Sequence, residues 1–99
     1  MPWLYYFPEA YLSLGVAKEI LGNKEEALKN YEHAIKLKPE YFQAYNKLAL
    51  LYAEFADFNK AISCYKKAIE INPNYEKSYN NFGNLLSDLG KFNDTNELY

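Results

Sequence analysis

FQAYNKLALLYAEFADFNKAISCYKKAIEINPNY, residues 42–75, is the stretch on which the fold turns. Moved back by 34 positions it lies, without a gap, over PEAYLSLGVAKEILGNKEEALKNYEHAIKLKPEY, residues 8–41. Ala10, Tyr11, Leu14, Ala27, Tyr31, Ala34, Ile35, Pro39 and Tyr41 meet Ala44, Tyr45, Leu48, Ala61, Tyr65, Ala68, Ile69, Pro73 and Tyr75. Nine identities at one offset exceed what composition supplies, and a fixed period of this length marks stacked copies of one supersecondary unit. A second step sets Tyr45, Asn46, Leu51, Phe58, Asn59 and Tyr65 against Tyr79, Asn80, Leu85, Phe92, Asn93 and Tyr99. The units are 8–41, 42–75 and an incomplete 76–99, preceded by an apolar N-terminal extension, 1–7.

Each unit reads as two antiparallel helices. Ala10, Leu14, Ala17 and Leu21 recur at helical spacing before Gly22-Asn23 interrupts them. Glycine accepts the left-handed backbone that closes a helix. Asn23-Lys24-Glu25-Glu26 has the spacing of a capping box, with Asn in place of Ser or Thr. Ala27, Leu28, Tyr31, Ala34 and Ile35 then form one stripe, and Pro39 forbids continuation because it lacks an N–H and clashes with the preceding turn. The second unit repeats this with Ala56-Asp57 at its turn and Pro73 at its stop; the third places Gly90-Lys91 where a turn is expected. Gly15, Ala49 and Gly83 fall at one place in the first helices, and Ala27 and Ala61 at one place in the second. Residues this small let two helices approach, while tyrosines at 11, 45, 79, 31 and 65 fill the wider gaps. The predicted fold is all-α, a solenoid of helix pairs. Glu25–Lys29 and Glu32–Lys36 have the spacing of helix-stabilising ion pairs.

Composition narrows the function. The 99 residues carry a formal net charge of −2, and all eleven basic residues are lysine. Without arginine the chain lacks the planar fork that reads phosphate and guanine, and no basic stripe occurs, so nucleic acid is not an expected partner. The apolar start, residues 1–7, is too short to span a bilayer or to serve as a signal peptide, and no other apolar run reaches membrane length. A soluble, cytoplasmic chain is expected. Cys64 is the only cysteine and His33 the only histidine, and they fall at non-equivalent places in different units. That argues against a nucleophile–base pair. His33 is expected on a solvated outer face and Cys64 as a small packing residue. No metal-ligand spacing or glycine-rich phosphate loop occurs, so no catalytic residue, cofactor or metal is expected.

The succession of aromatic, leucine, small residue, turn, Ala, aromatic, Ala and terminal Pro resembles the tetratricopeptide repeat family over residues 8–99. Tyr stands for the family's Trp, Lys18 for a large residue and Ala56 for a turn glycine. The resemblance implies right-handed superhelical stacking, with the first helices lining a concave groove that receives an extended peptide or a partner's helix. On that geometry the groove residues are Leu12 and Val16 in the first unit, Gln43, Asn46, Lys47 and Leu50 in the second, and Lys77, Asn80, Asn81 and Asn84 in the third. Asparagine is disfavoured inside helices, and its amide both donates and accepts, so it suits the main chain of an extended ligand. The run Tyr79-Asn80-Asn81-Phe82-Gly83 is similar to the asparagine-bearing repeats of O-linked N-acetylglucosamine transferases. Only Asn81 matches the asparagine site there; Ser13 and Lys47 occupy it in the other units. Chaperone-docking members of the family grip an acidic C-terminal tail with Lys and Asn, then Asn, then Lys and Arg. Here Leu12, Val16, Lys47 and Asn81 stand at four of those places and Lys77 alone survives, which argues against a dicarboxylate clamp.

The ends suggest a second role. A repeat cannot bury its apolar face alone, and arrays usually close with a polar capping helix. Trp3, Leu4 and Phe7 at one end, and Phe92 and Leu98 at the other, are candidates for self-association into a homo-oligomer. A protein-interaction module is therefore the leading expectation. The alternatives are an assembly element acting through its repeat ends, and a fragment of a longer scaffold such as the repeat region of a glycosyltransferase.

Overall fold

The computed structural model describes residues 6–97, and the side-chain surroundings of residues 6–90. Five helices follow one another: α1 Pro8–Ile20, α2 Lys24–Leu37, α3 Phe42–Glu54, α4 Phe58–Ile71 and α5 Glu76–Glu97. Among the described residues there is no strand. Pro8 opens α1 at a first-turn position, where its missing N–H costs nothing. Of the end positions named above for self-association, Trp3, Leu4 and Leu98 lie outside the described residues, and Phe92 lies on α5 with its side chain outside them.

The two helix-pair turns are built alike. After α1 the Asn23 N–H donates to the Lys18 carbonyl at 2.8 Å and the Gly22 N–H to Glu19 at 2.9 Å. After α3 the Asp57 N–H donates to Tyr52 at 2.9 Å and the Ala56 N–H to Ala53 at 3.0 Å. Both are Schellman motifs, which place one residue in the left-handed region. That residue is Gly22 at φ +85° in the first turn and Ala56 at φ +61° in the second. Asn23 makes no side-chain cap hydrogen bond, so the expected capping box is not formed. The Asn23 N–H that Glu26 would accept from in such a box is already donated to the Lys18 carbonyl, and Glu26 pairs with the Lys18 ammonium across the helix pair at 3.1 Å.

Small residues set the depth of packing. Gly15 is buried against the Tyr31 ring, and Ala49 shares a buried cluster with Ala61, Tyr65 and Leu85. Ala27, Tyr31, Leu48 and Leu51 form a second cluster that joins the first two helix pairs. Ala34, Tyr41 and Ala44 form a third, with Tyr11, Leu12 and Ile35 against it. Cys64 packs against two of these clusters, as a small apolar residue does.

Two expectations need correcting. The turn foreseen at Gly90-Lys91 is absent, and α5 runs on as one helix of 22 residues. The turns after α1 and α3 are each held by a returning helix of 14 residues that buries three of them. Continuation of α5 keeps the ladder of hydrogen bonds that a turn interrupts. The pairs Glu25–Lys29 and Glu32–Lys36 are not among the ion pairs of the described residues. Lys24 instead bridges α2 to Glu54 of α3 at 3.1 Å. His33 is exposed, as an outer-face position should be, and its ring stacks on Tyr11 with centroids 4.0 Å apart.

Candidate binding groove

The first helices α1, α3 and α5 share one face of the array. Between them lies a depression of about 490 Å³ lined by Leu12, Gln43, Asn46, Lys47, Leu50, Tyr75, Lys77, Asn80 and Asn81. The period of 34 explains the gathering. Leu12, Asn46 and Asn80 occupy one position in successive units, and Gln43 and Lys77 another, so stacking the units stacks these side chains.

Eight of the ten residues foreseen for the groove meet there. Val16 and Asn84 do not line it. Val16 packs against the Ala27–Tyr31–Leu48–Leu51 cluster, so the helix turns it inward. Asn84 is exposed on α5, outside the lining. Tyr75 also lines the depression, a position that the reading of the sequence did not include in the groove. Its ring meets Phe42 edge to face, with centroids 4.9 Å apart. Its place just before α5, like Tyr41 before α3, was the available signal.

Asn46 departs furthest from expectation. It is only 7% exposed, and its Nδ2 donates to Ser78 Oγ at 2.8 Å. Its Oδ1 is buried and has no partner. One unit earlier the same two positions hold Leu12 and Ala44, which pack together as apolar residues. The contact between first helices is thus apolar at α1–α3 and polar at α3–α5. A buried amide with one satisfied end is retained at a cost, since an unmade hydrogen bond in the interior is expensive.

The electrostatics of the face are one-sided. Lys47 and Lys77 line it, no carboxylate does, and among the described residues neither lysine is in a salt bridge. The chain as a whole is acidic, with a formal charge of −2, so the charged side chains lining the depression have the opposite sign to the net charge of the chain. The depression can attract a negatively charged segment and offer amide donors and acceptors to a main chain.

Elsewhere the chemistry is quiet. Burial pushes the Cys64 thiol up to about 11, and the Glu32 carboxylate adds to the effect. A thiol held protonated at neutral pH is a poor nucleophile. Among the described residues no group of three or more His, Cys, Asp or Glu is placed to hold a metal ion. No helix among them is long and apolar enough to cross a membrane.

Known proteins share this architecture. Tetratricopeptide repeat profiles match residues 42–75 and 64–95, and a TPR repeat profile matches residues 20–54. A crystal structure of MamA superimposes with a TM-score of 0.81 at 34% identity, over 87% of this chain and 50% of that one. Another, of the MamA protein, gives a TM-score of 0.79 at 34% identity, over 87% and 47%. The chain therefore spans about half the length of these MamA chains. The first TPR of Spaghetti (RPAP3), bound to the HSP90 peptide SRMEEVD, gives 0.78 at 20% identity, over 86% and 68%. No curated protein sequence matches the chain.

Proposed function

The chain belongs to the tetratricopeptide repeat family, and from that premise we propose that its α1–α3–α5 depression binds an extended peptide segment of another protein. In this reading the units 8–41, 42–75 and 76–99 build one continuous binding face. The observation that carries it is the lining itself: the accessible amides of Gln43, Asn80 and Asn81 and two lysines that have no carboxylate partner among the described residues, in one depression of an acidic chain. The amides hold the main chain of the ligand whatever its sequence. Lys47 and Lys77 favour a segment with negative charge. A similar fold holds an HSP90 peptide in the Spaghetti complex, which supports peptide as the ligand class. The dicarboxylate grip is not carried over, because Leu12, Val16, Lys47 and Asn81 replace its residues here.

A peptide array of random extended sequences, followed by titration of the best binders, tests this. Binders enriched in Asp and Glu are expected, weakening with salt. Lys47→Ala with Lys77→Ala, and separately Asn80→Ala with Asn81→Ala, should each weaken them by about tenfold or more. Asn84→Ala lies outside the lining and should leave affinity unchanged. Binding indifferent to both groove pairs overturns the proposal.

A further inference from the structure

Among the described residues, Oδ1 of Asn46 is the one buried side-chain oxygen or nitrogen without a hydrogen-bond partner. The other end of the same amide is anchored: Nδ2 donates to Ser78 Oγ at 2.8 Å, and Ser78 is fully buried. A side-chain amide is planar by the same resonance as a peptide bond, so fixing Nδ2 also fixes the direction of Oδ1. Asn46 lines the α1–α3–α5 depression and Ser78 does not. The anchored end is thus behind the lining, and the unsatisfied acceptor belongs to a residue of its wall.

A buried acceptor without a partner penalises the free chain, and a donor entering the depression removes that penalty. Exposed amides give a ligand less, because water already satisfies them. Gln43 and Asn80 in the same lining are exposed, so they hold a main chain without choosing its alignment. Asn46 differs, since it rewards one donor at one place. Its equivalent on α1 is the apolar Leu12, so the feature does not repeat along the face. The charge of the lining indicates what the donor is. Lys47 and Lys77 disfavour an ammonium or guanidinium group there. The carboxylates that they attract are acceptors only. What remains on an acidic segment to meet Oδ1 is a main-chain N–H.

Resting on the peptide-binding reading above, we propose that Asn46 sets the register of the bound segment by accepting one main-chain N–H at a fixed ligand residue. That residue is not proline, which has no N–H to give. Oδ1 is closed over in the free chain. The side chains around it in the lining, Gln43, Leu50 and Asn80, are exposed, and they change rotamer as the segment enters. Asn46 is therefore the specificity-determining position of the depression, while the lysines supply attraction to negative charge.

The probe is the strongest acidic binder from the peptide array, resynthesised with blocked ends and with each main-chain N–H in turn replaced by an ester oxygen. Against the wild-type chain, one ester position should lose about tenfold in affinity. Proline at the same ligand residue should lose at least as much. Asn46→Leu with Ser78→Ala deletes the acceptor and gives this contact the apolar character of Leu12 and Ala44 one unit earlier. Against that variant the unmodified peptide should bind about tenfold more weakly, and the sensitive ester should lose nothing further. A urea midpoint at or above wild type shows that the variant folds, and Asn46→Ala gives a second background for the same cycle. No ester position, or several, whose loss vanishes with Asn46 overturns the proposal. A solvent molecule held permanently on Oδ1 gives the first of these results. Lys47→Ala with Lys77→Ala separates this reading from the one beneath it. Lysine-dependent binding with no coupling to Asn46 removes the register alone, whereas an array without acidic binders, or binding indifferent to the lysines, removes both.

Discussion

A methyl group added to Gly15 would lie 2.4 Å from Cε1 of Tyr31. That ring is fully buried, and its hydroxyl donates to the Glu19 carboxylate, so it is held at both ends. The first helix pair therefore depends on the absence of a side chain at one position.

Gly15→Ala should destabilise the chain by about 1–3 kcal/mol, because overpacking outweighs the gain in helix propensity. Gly83→Ala, at the equivalent position with nothing near it, should stabilise by up to about 1 kcal/mol. Urea denaturation midpoints of the two variants should move in opposite directions. Equal shifts would mean that the Tyr31 ring yields freely.

Ala56 holds φ +61° where the first turn has Gly22 at +85°. A left-handed alanine costs about 1–2 kcal/mol. Ala56→Gly should raise the thermal midpoint, less the added entropy of the unfolded chain. Gly22→Ala should lower it, although the space there is open, since the cost lies in the backbone alone.

The Asn46–Ser78 pair can be converted to the Leu12–Ala44 arrangement of the preceding interface. Ser78→Ala alone strands the Asn46 amide and should cost about 1–3 kcal/mol. Asn46→Leu with Ser78→Ala removes both polar partners and should be neutral or stabilising. A double-mutant cycle by urea denaturation measures the coupling. Additive effects would show that the bond between these two residues contributes nothing.

Alkaline pH should unfold the chain early. Burial pushes Cys64 up to about 11 from 9.0 and Tyr65 up to about 12 from 10.0, and likewise raises Tyr31, Tyr41, Tyr45 and Tyr52. Above the ordinary values the folded chain keeps protons that the unfolded chain has released, so the free energy of unfolding falls as pH rises. The contribution is whole below about pH 9 and is lost as pH passes through the folded values. Urea midpoints should be level near neutrality and fall steadily above about pH 9. Cys64→Ala should delay the onset toward pH 10. A midpoint that stays level across that range would contradict the burial of these groups.

The period of 34, the proline stops and the small–large alternation were all legible, because each follows from local backbone rules or from the spacing of one helix face. The family, the all-α class and the close approach at Gly15 came from those features. Most of the groove lining was legible too, since residues at one repeat position stack once the units stack. Asn46 misled for a plain reason: on α3 alone it is a polar residue on a polar face, and only Ser78, 32 residues away, closes over it. Val16 was similarly turned into the core by neighbours on other helices.

What the sequence determined by itself was therefore the periodic part of this protein: which segments are helices, where two of the turns bend, and which side chains recur on one face. What only the tertiary structure decided was the fate of positions whose neighbours differ between units. Gly15 and Gly83 are the same residue at the same repeat position, yet one is sealed by Tyr31 and the other stands open. Repetition specifies a surface, but burial depends on what lies across from it, and that is a property of the packed array rather than of any one unit.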